Sequence, residues 1–130
     1  MTAHAVLMRR FAAQDVWSGL SMREYDVLYT LSKCDRPQRI GELGRHVLLS
    51  QPALSRLVDR LVERHLLTRC SDPQDGRAAQ VSLTTAGRAL QREVGRAHGA
   101  AVAAALTSAL DDDQLVALET LSLALAQEES

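Results

Sequence analysis

The chain has 130 residues, of which 46% are hydrophobic and 24% charged, with a formal net charge of −1. That is enough for one domain with a packed core, and it excludes a disordered or fibrous chain. Aromatic residues make up only 3% (Phe11, Trp17, Tyr25 and Tyr29, all within the first thirty positions), so the rest of the core must be Leu, Val, Ile and Ala, which favours helices.

The first stretch, residues 3–18, places Val6, Leu7, Arg10, Phe11, Gln14 and Trp17 at helical spacing, with Gly19 as its stop. Arg9 and Arg10 follow the apolar run instead of preceding it, which is the wrong order for a signal peptide. Ser21-Met22-Arg23-Glu24 is a capping box opening a second helix striped by Tyr25, Val27, Leu28 and Leu31. Lys33 to Pro37 reads as a loop, because Pro37 disfavours helix in the residue before it. Ile40 to Leu49 reads as a short helix with Ile40, Leu43 and Val47 on one face. Ser50 caps the next helix, and Pro52 fits its first turn. That helix runs to about His65, with Leu54, Leu57, Val58 and Leu61 inward and Pro52, Arg56, Asp59 and Glu63 outward.

Leu66 to Cys70 and Ala79 to Leu83 flank the turn formers Ser71 to Arg77, which predicts a hairpin. Thr84 caps a long helix reaching about Leu110, with alanines at 97, 100, 101, 103, 104 and 105 that permit close helix approach. Asp111, Asp112 and Asp113 place carboxylates at the positive end of a last helix striped by Leu115, Leu118, Leu121 and Leu125. No stretch reaches the ~20 apolar residues of a membrane span.

Charge is unevenly spread. Residues 33–77 hold nine bases against six acids, net +3, and residues 78–97 hold three against one, net +2. Residues 98–130 hold no base and six acids, net −6. A basic middle beside an acidic tail suits a chain of which one part meets a polyanion. Two short helices followed by a hairpin make a winged helix-turn-helix, in which a helix fits the major groove and the hairpin reaches the neighbouring backbone or minor groove. The second of those helices exposes Gln51, Ser55, Arg56 and Arg60. Alternatively, Arg56 and Arg60 pair with Asp59 and Glu63 on a solvated face.

Three runs carry a resemblance: Ser50 to Val58, Asp72 to Arg77, and Leu83-Thr84-Thr85-Ala86-Gly87. Together they resemble the MarR family of bacterial winged helix-turn-helix transcriptional regulators, by motif over about residues 20–90 and by helix order to both ends. The resemblance implies a mainly α fold with a small β-hairpin and about six helices. It implies a single domain over 1–130, with a DNA-binding lobe at 20–90 and a helical dimerisation lobe from 1–18 and 100–130. Gln51, Pro52, Ser55 and Arg56 match major-groove positions, and Arg60 lies one turn beyond Arg56. Arg77 matches the wing-tip arginine that enters the minor groove, Asp75 the acid that holds it, and Arg69 belongs to the same wing. One departure stands out: His65 occupies a position where the family usually has Gly, so its backbone must be left-handed or otherwise adjusted.

The implied function is a cytoplasmic, homodimeric repressor on an inverted-repeat operator in double-stranded DNA, released by a small effector, with no cofactor and no metal. Phe11, Trp17, Tyr25 and Tyr29 are candidates for lining an effector cleft, or else for core packing. Cys34, beside Lys33 and Arg36, and Cys70, after Arg69, leave a redox-sensing regulator as an alternative. A winged helix that binds a protein partner is a second alternative. Phosphate-loop, metalloprotease, nucleophile-elbow and C-x-x-C motifs are absent, so an enzyme is not expected.

Overall fold

A computed structural model describes residues 2–71, 74 and 79–127. Helix α1 spans Ala3–Ala12, and the Thr2 side chain accepts from the Ala5 amide at its start. It is shorter than the expected 3–18 for a specific reason. The Phe11 carbonyl, which a continuing helix would offer to residue 15, accepts instead from the Gln14 amide at 3.2 Å and the Trp17 indole at 2.9 Å. The chain then turns through left-handed backbone at Ser18 (φ 51°) and Gly19 (φ 82°).

Helix α2 spans Met22–Ser32. Its capping box forms as the sequence requires: Glu24 N donates to Ser21 Oγ at 3.0 Å, and Ser21 N to Glu24 Oε1 at 2.8 Å. Tyr25, Val27, Leu28 and Leu31 are buried on its inner side. A two-residue strand, β1 (Gln38–Arg39), follows the Lys33 to Pro37 segment, at two positions the sequence reading leaves unassigned. Helix α3 is one turn, Ile40–Leu43, and the chain continues from Gly44 in turns instead of helix to Leu49. Leu43 and Val47 still point inward.

Helix α4 spans Gln51–Glu63, capped by Ser50 Oγ on the Ala53 amide, with Leu54, Leu57, Val58 and Leu61 buried. Its end is a Schellman motif: Leu66 N donates to the Leu61 carbonyl and His65 N to that of Val62. The left-handed position falls on His65, at φ 60°. Strands β2 (Leu67–Ser71) and β3 (Ala79–Leu83) pair antiparallel, with Leu67 opposite Leu83 and Ser71 opposite Ala79. β1 adds to the other side of β3, giving the order β1-β3-β2.

Helix α5 spans Thr85–Ala109. Thr84 clamps its start by donating to the His65 carbonyl at 2.7 Å and accepting from Gly87 N at 2.9 Å. Gly87 is required there, because a Cβ would overlap the Leu66 carbonyl oxygen. Helix α6 spans Asp112–Gln127 and opens on a reciprocal Asp111–Gln114 box. The fold is thus mainly α with a small antiparallel sheet, as expected. The core runs from α2 and α4 through β3 into α5. α6 lies outside it: none of its described residues is buried, and Leu121 and Leu125 are 64% and 71% exposed.

Candidate nucleic-acid interface and flanking cavities

The inward stripe of α4 fixes which side chains the helix can present. With four aliphatic residues locked in the core, Gln51, Pro52, Arg56 and Arg60 are exposed, and Ser55 is half-buried beside them. The Ser50 cap leaves this presenting end at the helix N-terminus, where amide hydrogens favour anions. Among the described residues, neither Arg56 nor Arg60 makes an ion pair. Asp59, a candidate partner for them, is taken by Arg69 Nη2 from β2. This contact staples the base of the hairpin to α4. Arg69 is therefore partly engaged, while Arg56 and Arg60 keep their charge available. Asp75 and Arg77 lie outside the described residues.

A second tie sets the angle between helices. Arg64 Nη1, just past α4, lies 3.5 Å from Glu24 Oε2 and donates to the Gly19 carbonyl at 3.4 Å. Glu24 therefore both caps α2 and anchors the end of α4. Neither Arg64 nor Glu24 stands out in the sequence except as a capping residue and a surface cation.

The four aromatics differ in burial but stay in contact, Trp17 with Tyr25 at 5.7 Å and Tyr25 with Tyr29 at 6.1 Å between ring centroids. Phe11, Trp17 and Tyr25 have buried rings, each within 6.0 Å of the His98 ring on α5, with Trp17 nearest at 4.7 Å. Phe11 and Trp17 are core packing. Tyr29 is 46% exposed, with Lys33 Nζ 5.2 Å from its ring centroid. His98, which the sequence shows only as an isolated histidine, is the hub of the cluster.

Two cavities flank α2. One, of about 550 Å³, opens towards the turn after α3 and is lined by Asp26, Tyr29, Cys34 and His46 among others. Burial there pushes the Asp26 carboxyl above its usual range, with Arg23 and His98 pulling the other way. The second, of about 440 Å³, lies between α2 and α5. Cys34 is half-buried, with its thiol donating to the Thr30 carbonyl, and Cys70 is exposed on β2. Both are free. Among the described residues, no group of His, Cys, Asp and Glu is placed to hold a metal. No helix among them is long and apolar enough to cross a membrane.

Three helices (α2–α4) with a flanking three-stranded sheet define a winged helix-turn-helix protein. The MarR family model matches residues 18–78, the stretch that contains α2 to α4 and β2 but stops short of β3. Solved structures extend the likeness along the chain. Wild-type MarR from E. coli, in its apo form, superimposes with TM-score 0.81 at 24% identity, over 96% of this chain and 97% of that one. A mutant of E. coli MarR complexed with operator DNA gives TM-score 0.78 at 25% identity, covering 93% of this chain and 86% of that one. The PcaV regulator of Streptomyces coelicolor, in complex with its natural ligand, gives 0.70 at 25%, covering 98% and 86%. The chain is thus similar to the MarR family over residues 18–78 and shares the fold of these solved structures.

Proposed function

We propose that the chain is a sequence-specific DNA-binding regulator, cytoplasmic and homodimeric, that represses nearby genes by occupying an inverted-repeat operator and is released by a small ligand. The observation that carries this is the outer face of α4, where Gln51, Pro52, Ser55, Arg56 and Arg60 are presented together, with both arginines unpaired among the described residues. The operator and ligand complexes of two solved relatives support the same reading. In this proposal residues 20–90 form the DNA lobe, and residues 1–18 and 100–130 form the dimer lobe. Two-fold symmetry then sets the two half-sites about one DNA turn apart, ~34–36 Å. Ligand binding changes the spacing of the two α4 helices and weakens operator binding by a coupling of roughly 1–3 kcal/mol.

The test is operator binding at several salt concentrations, on specific and scrambled DNA. Arg56→Ala is expected to cost roughly 1–3 kcal/mol per half-site and to relax preference at one or two positions. Arg77→Ala, at the position the family resemblance assigns to the minor groove, is expected to weaken binding to many sequences. It should also make the salt dependence shallower by about one unit for each phosphate no longer neutralised. If neither variant changes affinity or salt slope, the face does not bind DNA, and a protein-binding winged helix takes its place.

A further inference from the structure

The cavity between α2 and α5 has a composition the aromatic-ligand expectation does not explain. Arg88, Arg92 and Arg96 all line it, at i, i+4 and i+8 on one side of α5, and Lys33, just past the end of α2, lines it with them. The described residues lining it include no carboxylate. All four cations are exposed, and among the described residues none of the three arginines makes an ion pair or side-chain hydrogen bond. Like charges one turn apart oppose helix formation. On α5 only Glu93, three residues before Arg96 and making no ion pair among the described residues, offsets them. Arg88 to Arg96 spans about 12 Å of helix axis, so the charges form a row and not a point.

A second observation points into the same cavity. Tyr25 is 9% exposed, yet it lines this cavity, and its hydroxyl has no hydrogen-bond partner among the described residues. The hydroxyl sits above Gly95, where a Cβ would come within 3.0 Å of it. The glycine thus leaves room for a buried ring to present one free donor at the foot of the arginine row. Guanidinium groups bind phosphate and carboxylate through paired N–H donors.

We propose that the α2–α5 groove binds a small polyanion, a molecule with two or more phosphate or carboxylate groups, held by Arg88, Arg92, Arg96 and Lys33 and by the Tyr25 hydroxyl. Its regulatory consequence rests on the ligand-released reading above, but the site itself does not.

The experiment is calorimetric titration of the full chain with tripolyphosphate, citrate and benzoate at ~0.15 M salt, where exposed charges are screened beyond ~8 Å. Tripolyphosphate and citrate are expected to bind saturably, one per chain, with benzoate at least about tenfold weaker because it offers one charge to the row. Arg92→Gln is expected to weaken tripolyphosphate by about tenfold and Tyr25→Phe by about threefold, with Arg9→Gln, an exposed arginine on α1, within about twofold. Unchanged circular dichroism and melting show that the variants are folded. An equal weakening in Arg9→Gln, no saturable binding, or benzoate binding as tightly as citrate overturns the proposal. So does a ligand-free Arg92→Gln chain with reduced operator affinity or salt slope, since the row would then be a DNA contact. If tripolyphosphate binds as expected but leaves operator affinity unchanged, the site stands and the release mechanism falls.

Discussion

His65 sits in left-handed backbone that costs an ordinary L-residue about 1–2 kcal/mol. The Schellman hydrogen bonds of the α4 end, and Thr84 on the His65 carbonyl, hold it there. His65→Gly removes the strain but adds unfolded-chain entropy of about 0.4–1 kcal/mol. The expected net is a stabilisation of up to about 1 kcal/mol, read as a melting point raised by a few degrees. A lowered melting point would show that the imidazole makes a compensating contact. Asp26 works in the opposite sense to most carboxylates. Burial raises its folded value above 3.8, so the unfolded chain ionises first as pH rises. Its contribution is fully present below that unfolded value and is lost as pH climbs through the folded one. Asp26→Asn should therefore melt like wild type at about pH 3 and above it at about pH 7, by a small margin because the side chain is half exposed. A larger gap in acid than at neutrality would contradict this assignment.

At the scale of elements, legibility follows the range of the interactions. The starts of α2 and α4 are readable because their signals, Ser21 with Glu24 and Ser50 with Pro52, lie within one turn of each other. The outer face of α4 is readable because four buried aliphatics at helical spacing leave only one side free. β1 is not readable: it is two residues long and exists only because Val81 and Gln80 lie opposite it. The true end of α1 depends on an indole six residues away, and the Asp59–Arg69 contact on the path of the chain after His65. The spacing of Arg88, Arg92 and Arg96 is present in the sequence, but only α2 packing beside them makes a groove. Gly87 joins two elements, α5 and the residue preceding β2. Gly87→Ala places a methyl 2.9 Å from the Leu66 carbonyl carbon, where only backbone can give way. The expected destabilisation is about 3 kcal/mol, the upper range for overpacking, measured by denaturant unfolding. A value below about 1 kcal/mol would mean that α5 slides freely on β2.

For the whole molecule, α6 leaves its large apolar side chains uncovered. Val116, Leu118, Leu121, Leu123 and Leu125 are all at least 40% exposed, which a lone subunit in water does not favour. In the proposed dimer this helix is covered by its copy. A chain ending at Leu110 should sediment as monomer or aggregate where the full chain sediments as dimer. A full-length monomer at micromolar concentration would remove the basis for a two-fold operator. The helix joining the two ends of the molecule has a mechanical consequence. α5 is one unbroken 25-residue rod, about 37 Å long, and the arginine row lies near its Thr85 end. A tilt of about 5° at that end sweeps the far end through about 3 Å, so the rod works as a lever that turns a small angular change into travel. Two glycines inserted midway along it would break the lever, leaving each end able to bind its own partner and deaf to the other.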